Sequence, residues 1–300
     1  MALSSCPMNN PTPSKRITLI GVGLIGGSFV LDLKHKGLAT SVVGIDLNHD
    51  NLERALERKV IDAAFDHINT EAVTGADLVI VATPVSTLPA VCRQLSTVLE
   101  NHSVLIDVGS TKQSAIHAFQ KYLPHHLPYC IATHPIAGSD RSGALAAQFG
   151  LFQDKKLIIC PHGQEDSESL NWVSSLWQTV GAQTYLMSAT EHDGIFAAVS
   201  HLPHVLAYAY VNQIATHPNG QAYFDFAASG FRDFTRIASS HPAIWVDICL
   251  ENKNSLLALL SGQQAQLAQL ATMLKNGDAD ALYRYFDQAK QARDAWAALQ

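Results

Sequence analysis

At 300 residues the chain is longer than one hydrophobic core usually supports, so it reads as two domains. Its apolar fraction of 47% can fill both cores, and a net charge of -6 gives no electrostatic reason to expect nucleic acid or an anionic membrane as a partner. It has no unbroken run of about 18 apolar residues, so nothing is expected to span a bilayer.

Residues 1–14 are polar and proline-rich, without the apolar middle of a secretion signal, and read as a disordered leader on a cytoplasmic protein. The five cysteines are scattered without a CxxC pair, which fits reduced thiols. No tight set of His, Cys and carboxylates appears, so no metal is expected.

From residue 15 to 188, short Val- and Ile-rich runs alternate with segments of helical periodicity. "RITLIG", "SVVGID", "DLVIVA", "SVLIDV", "YCIATH", "KLIICP" and "AQTYLM" read as strands buried on both faces, which implies a largely parallel sheet with helices on both sides. The first strand runs into Gly21, Gly23, Leu24, Ile25 and Gly26, a GxGxxG turn that opens a helix. In such a turn the first glycine permits the bend, the second lets backbone approach a pyrophosphate, and the third lets helix and strand pack closely. The next strand ends in Asp46, twenty residues beyond Gly26. A carboxylate there can accept both ribose hydroxyls and would repel a 2'-phosphate, so the expected cofactor is NAD rather than NADP.

Ligands of open parallel sheets lie beyond the C-terminal ends of the strands, which directs attention to three further strand ends. Thr83 and Pro84 would wall the nicotinamide side. Ser110 follows the strand "VLIDV". "YCIATH" ends a buried run in His134, where a dehydrogenase needs a base, because imidazole titrates near neutral pH.

Residues 189–300 change character, with long helical periodicity and no strand-like alternation. Leu256, Leu260, Leu267, Leu270 and Leu274 lie along one broad helical face. Within this half His201 and His204 share a helix face, and Arg236 sits in the mostly apolar frame "FTRIA".

Taken together, "GVGLIGGS", "DVGSTK", "HPIAGSD", "VSHLPH" and "GFRDFTRIASSHPAIWVDI" resemble the bacterial prephenate/arogenate (cyclohexadienyl) dehydrogenases of tyrosine biosynthesis, from about Arg16 onward. The resemblance implies an α/β protein: a Rossmann-like NAD-binding domain followed by an all-helical domain through which two chains form a homodimer. It implies NAD-dependent oxidative decarboxylation of prephenate to 4-hydroxyphenylpyruvate, or of arogenate to tyrosine. His134 and Ser110 match the catalytic pair at the ring hydroxyl, and Arg236 the arginine that holds a substrate carboxylate. His204 and Trp245 match residues lining the substrate pocket. Asp140 stands where many members have Glu, and Asp233 is a candidate for meeting the ammonium of arogenate.

Two rivals remain open. Hydroxy-acid dehydrogenases of similar plan usually place a lysine in the helical domain as acid/base, and here none occurs between Glu191 and Lys253. A non-catalytic NAD sensor would keep the Gly21–Asp46 apparatus and have no use for Ser110, His134 and Arg236 around one cavity.

Overall fold

The computed structural model describes residues 13–138 and 143–299. The expected leader lies outside these residues except at its last two positions, where Ser14 already begins a strand.

Among the described residues one sheet contains β1 (Ser14–Ile20), β2 (Ala39–Ile45), β3 (Ala63–Phe65), β4 (Leu78–Val81), β5 (Val104–Asp107), β6 (Cys130–Pro135), β7 (Lys156–Cys160) and β8 (Gln183–Leu186), in the order 3-2-1-4-5-6-7-8. All pairings are parallel except that of β6 with β7, where His134 faces Ile158 in an antiparallel register. The connecting helices are α1 (Leu24–His35), α2 (His49–Glu57), α3 (Thr70–Val73), α4 (Leu88–Leu95), α5 (Lys112–Tyr122) and α6 (Ser167–Thr179).

Alternation along the strands builds two apolar layers. Ile17, Leu19, Leu78, Ile80 and Ile106 face one core, in which Phe29 of α1 stacks on Trp177 of α6 at 3.7 Å. Ile20, Val79, Val81 and Leu105 face the other, packed under α4 and α5 through Leu95 and Phe119. Successive side chains of a strand point to opposite faces, so a run apolar at every position is what burial on both sides demands.

The chain then becomes helical: α7 (Ala189–Phe196), α8 (Leu202–Ala215), α9 (Gly220–Asp225), α10 (Ser229–Thr235), α11 (Pro242–Glu251), α12 (Lys253–Asn276) and α13 (Ala279–Ala297). A π turn, Ala197–His201, joins α7 to α8. Pro203 follows two residues after its end; a proline has no amide for the preceding turn, and the wider turn accommodates that loss. The described residues up to 253 form one compact unit and those from 254 onward a second, built from α12 and α13.

The continuous helix Ala189–Ala215 is, by length and composition, apolar enough to cross a membrane. Polar residues such as Glu191, Asp193, His201 and Asn212 interrupt it, so it holds no unbroken apolar run; His192, Asp193 and His201 are buried.

Candidate active site

The strand order reverses between β1 and β4, and the glycine turn lies at that point. Gly21 adopts φ +87°, a left-handed conformation open to glycine, and donates its amide to the Ile45 carbonyl at 2.8 Å. A Cβ on Gly26 would stand 2.5 Å from Leu19 Cδ1 and 2.8 Å from Ala82 Cβ, so only glycine lets α1 approach the sheet this closely. A Cβ on Gly23 would meet nothing within 4 Å, which leaves that side of the turn open to a phosphate. The N-terminus of α1 has neither a side-chain cap nor an acidic residue in its first turn, so its amides and dipole are available to an anion. The Leu24 side chain is buried and Ile25 packs against the core, which anchors the helix while their backbone amides belong to its first turn.

Asp46 continues directly from β2, and its Oδ2 accepts hydrogen bonds from the Val22 amide at 3.0 Å and from Asn51 Nδ2 at 2.9 Å. Oδ1 accepts the Asn48 amide at 2.9 Å. A carboxylate offers about four lone-pair positions, so the geometry leaves room on Oδ1 for one ribose hydroxyl rather than the expected two. Asn51 also donates to the Val22 carbonyl at 2.7 Å and accepts the Ala144 amide at 2.7 Å, tying the glycine turn to the loop after β6. These residues fit a dinucleotide.

Thr83 and Pro84 follow β4. The Thr83 hydroxyl accepts from Thr87 at 2.7 Å, and the next turn is held to α11 by Ser86, which donates to Asp247 at 2.6 Å. β5 and β6 are parallel neighbours, which brings Ser110 and His134 to the same end of the sheet. Ser110 is half-buried there.

His134 is half-buried at the end of β6. Its Nδ1 lies 2.8 Å from His192 Nε2, and its ring meets Phe196 edge-on at 5.0 Å between centroids. Burial, followed by the neighbouring His192, pushes its pKa well below the usual imidazole range, so the ring is neutral and able to accept a proton. Behind it, His192 Nδ1 is 2.8 Å from Asp193 Oδ1. Asp193 also accepts the amides of Lys112 and Gln113 at 2.8 and 2.9 Å, which fixes α7 against the N-terminus of α5. Lys112 has no solvent access; its ammonium bonds Asp107 and the Thr133 carbonyl, one residue before His134.

Asn252 Nδ2 donates to the Asp193 carbonyl at 2.8 Å and lies 3.2 Å from His201 Nδ1. Of the two helix-face histidines, His201 is thus sealed in this buried network. His204 stacks on Trp245 at 3.6 Å, and its Nδ1 lies 2.9 Å from the Ser200 carbonyl, which accepts its proton and leaves Nε2 open. Burial lowers the His204 pKa, and the charge of Arg236 lowers it further, so the structure brings Arg236, His204 and Trp245 into one neighbourhood. Arg236 begins a short 3-10 turn after α10 and is exposed, as is Asp233. Asp140 lies outside the described residues.

Sequence pattern does not single out His192, Asp193, Asn51 or Asn252. The signal available for the first two is an imidazole and a carboxylate side by side near the start of a long, largely apolar helical segment.

A prephenate dehydrogenase nucleotide-binding domain matches residues 29–186, and a prephenate dehydrogenase dimerization domain matches residues 188–288. The chain is 38% identical over 282 residues to a prephenate dehydrogenase of Bacillus subtilis, covering 93% of this chain and 75% of that one. It is 34% identical over 284 residues to a cyclohexadienyl dehydrogenase of Zymomonas mobilis, covering 94% and 96%. A solved structure of prephenate dehydrogenase from A. aeolicus, in complex with hydroxyphenyl propionate and NAD+, matches with a TM-score of 0.86 at 31% identity, covering 93% of this chain and 97% of that one.

Proposed function

The chain belongs to the prephenate dehydrogenase family, and from that premise we propose that it converts prephenate to 4-hydroxyphenylpyruvate by NAD-dependent oxidative decarboxylation. The observation that carries this reading is a neutral imidazole, His134, held from behind by His192 at the end of the sheet that bears the glycine turn. A sensor of NAD would have no use for that arrangement.

Gly21, Gly23, Gly26 and the α1 amides would hold the pyrophosphate, Asp46 a ribose hydroxyl, and Thr83 and Pro84 the nicotinamide side. When bound, NAD would supply the acceptor for the hydride on the ring carbon that carries the hydroxyl. His134 Nε2 accepts the hydroxyl proton as that hydride leaves. The ring carboxylate departs as carbon dioxide, its bonding electrons aromatise the ring, and the proton returns to the phenol oxygen, so no net proton is released. Ser110 aligns the hydroxyl. Arg236 offers a planar fork to a substrate carboxylate, with His204 and Trp245 as the pocket wall, and this anchoring sets the ring against the nicotinamide.

Residues 15–188 serve the cofactor and 189–300 the substrate and the homodimer. A dimer contact is supported by the dimerization-domain match and by Leu257, Leu267, Leu274 and Phe286, which the second unit leaves exposed. The buried free thiols of Cys92, Cys130 and Cys160 are consistent with a cytoplasmic location. Arogenate is the second substrate to test, since exposed Asp233 could meet its ammonium group. Initial rates with NAD on prephenate and on arogenate, with products identified, decide between them. Absence of NADH formation from both would remove the proposal.

A further inference from the structure

The buried pair behind His134 has a direction built into it. An ionised carboxylate only accepts hydrogen bonds, so the 2.8 Å contact with Asp193 Oδ1 places the His192 proton on Nδ1. His192 Nε2 is then a bare lone pair. At 2.8 Å from it, His134 Nδ1 must supply the proton of that contact. With Nδ1 protonated, the neutral His134 ring carries its lone pair on Nε2, the only nitrogen left for a substrate.

We infer that Asp193 and His192 are positioning residues that set the tautomer of His134, present its Nε2 as the base, and share the positive charge that forms when it takes up a proton. The inference rests on the dehydrogenase reading for the chemistry, though not for the tautomer.

Asp193 is suited to anchor such a chain. Its Oδ1 also accepts the Lys112 amide at 2.8 Å, and its Oδ2 accepts the Gln113 amide and side chain at 2.9 and 3.2 Å. It therefore sits at the N-terminus of α5, where the helix dipole favours negative charge. Burial alone would raise its pKa, but the His192 hydrogen bond and the α5 amides outweigh it, so the carboxyl stays ionised. His192 is fully buried, and burial is the main cause of its lowered pKa, opposed by Asp193.

The other titratable groups facing the pair are Lys112, paired with Asp107, and His201 beside Asn252. The Lys112 charge disfavours a cation on His134; through the hydrogen-bonded His192, the Asp193 carboxylate is placed to offset it. Because the overall reaction releases no net proton, the pair has only to stabilise the cation until the proton goes back to the product.

The test uses the full chain, labelled with 15N-histidine, and reads tautomers by NMR, with His134→Asn assigning the His134 signals. The expected wild-type state is neutral with Nδ1–H. His192→Phe keeps a ring in the cavity and should give a mixture of tautomers, with turnover down roughly 10- to 1,000-fold. His192→Gln can still accept from His134 through its amide oxygen, so it should keep the Nδ1–H form and recover part of the turnover. The NAD dissociation constant, unchanged in both, shows that the fold survives. Asp193→Asn is a third arm, and if it unfolds because α5 loses its cap, the two His192 variants still decide. Finding the His134 proton on Nε2 in the wild type, or finding the tautomer and turnover unchanged in His192→Phe, would overturn the inference. Absence of prephenate turnover in the wild type would instead remove the dehydrogenase reading and leave the tautomer result standing.

Discussion

Lys112 and Asp107 meet beneath the site with almost no access to water: the lysine side chain is 0% exposed and the aspartate side chain 3%. The same ammonium bonds the Thr133 carbonyl, and Asp107 accepts the amides of Gly109 and Thr133, so one ion pair fixes the ends of β5 and β6 together. Removing one partner of such a pair leaves the other charge buried and uncompensated. Lys112→Met should therefore destabilise the fold by about 3–5 kcal/mol, whereas adding Asp107→Asn should recover part of that loss. Urea denaturation of the single and double variants reads the difference; additive losses would mean the pair is not coupled.

Asp46 offers a second test. Its carboxylate holds the Val22 amide and Asn51 as well as the expected ribose hydroxyl, so Asp46→Ser should weaken NAD binding through both the lost ligand contact and a looser turn. Loss of a charged hydrogen bond of about 1.5–3 kcal/mol corresponds to a roughly 10- to 150-fold rise in the NAD dissociation constant. NADP, freed from carboxylate repulsion, should weaken far less or improve. Calorimetric titration with both nucleotides checks this, and equal losses for the two would take discrimination away from Asp46.

These two residues mark how far the sequence could be read. The turn that Asp46 serves is legible because its glycines answer to backbone geometry within a few residues, as Gly21 and Gly26 show. His134 is legible because a polar ring at the end of a buried strand is conspicuous. His192 and Asp193 are not, because their roles depend on α7 docking against β6 and α5, contacts 58 and 81 residues apart in sequence. β3 escapes for a different reason: Ala63–Phe65 is a three-residue edge strand without β-branched residues. The reversed direction of β7 is set by the connection that precedes it, since an apolar run reads the same in either sense.

His134→Asn should lower turnover by roughly 100- to 10,000-fold, the usual range for loss of a general base, with little change in NAD affinity. Steady-state kinetics with prephenate alongside NAD titration separates the two effects. A variant that turned over normally would move the base elsewhere, with His204 the next imidazole to examine because its Nε2 is open beside Arg236.

Acid sensitivity follows from the buried histidines. His201 is 1% exposed, and burial pulls its pKa down from 6.5 to about 4, with Asp193 opposing and the neighbouring His192 and His204 adding to the fall. A group whose folded pKa lies below its unfolded value binds its proton more readily in the unfolded chain. The stability it contributes is thus complete above pH 6.5 and is lost as pH falls towards 4. The loss amounts to up to about 3 kcal/mol, and His134 and His192, also held below the usual imidazole value, add to it in the same direction. His201→Gln keeps a polar partner for Asn252 and removes the titration. Its urea midpoint should fall less steeply than the wild-type value between pH 6.5 and 4. Equal slopes would mean that His201 takes up its proton in the folded protein as easily as in the unfolded chain, which a ring sealed by Asn252 and Trp245 should resist.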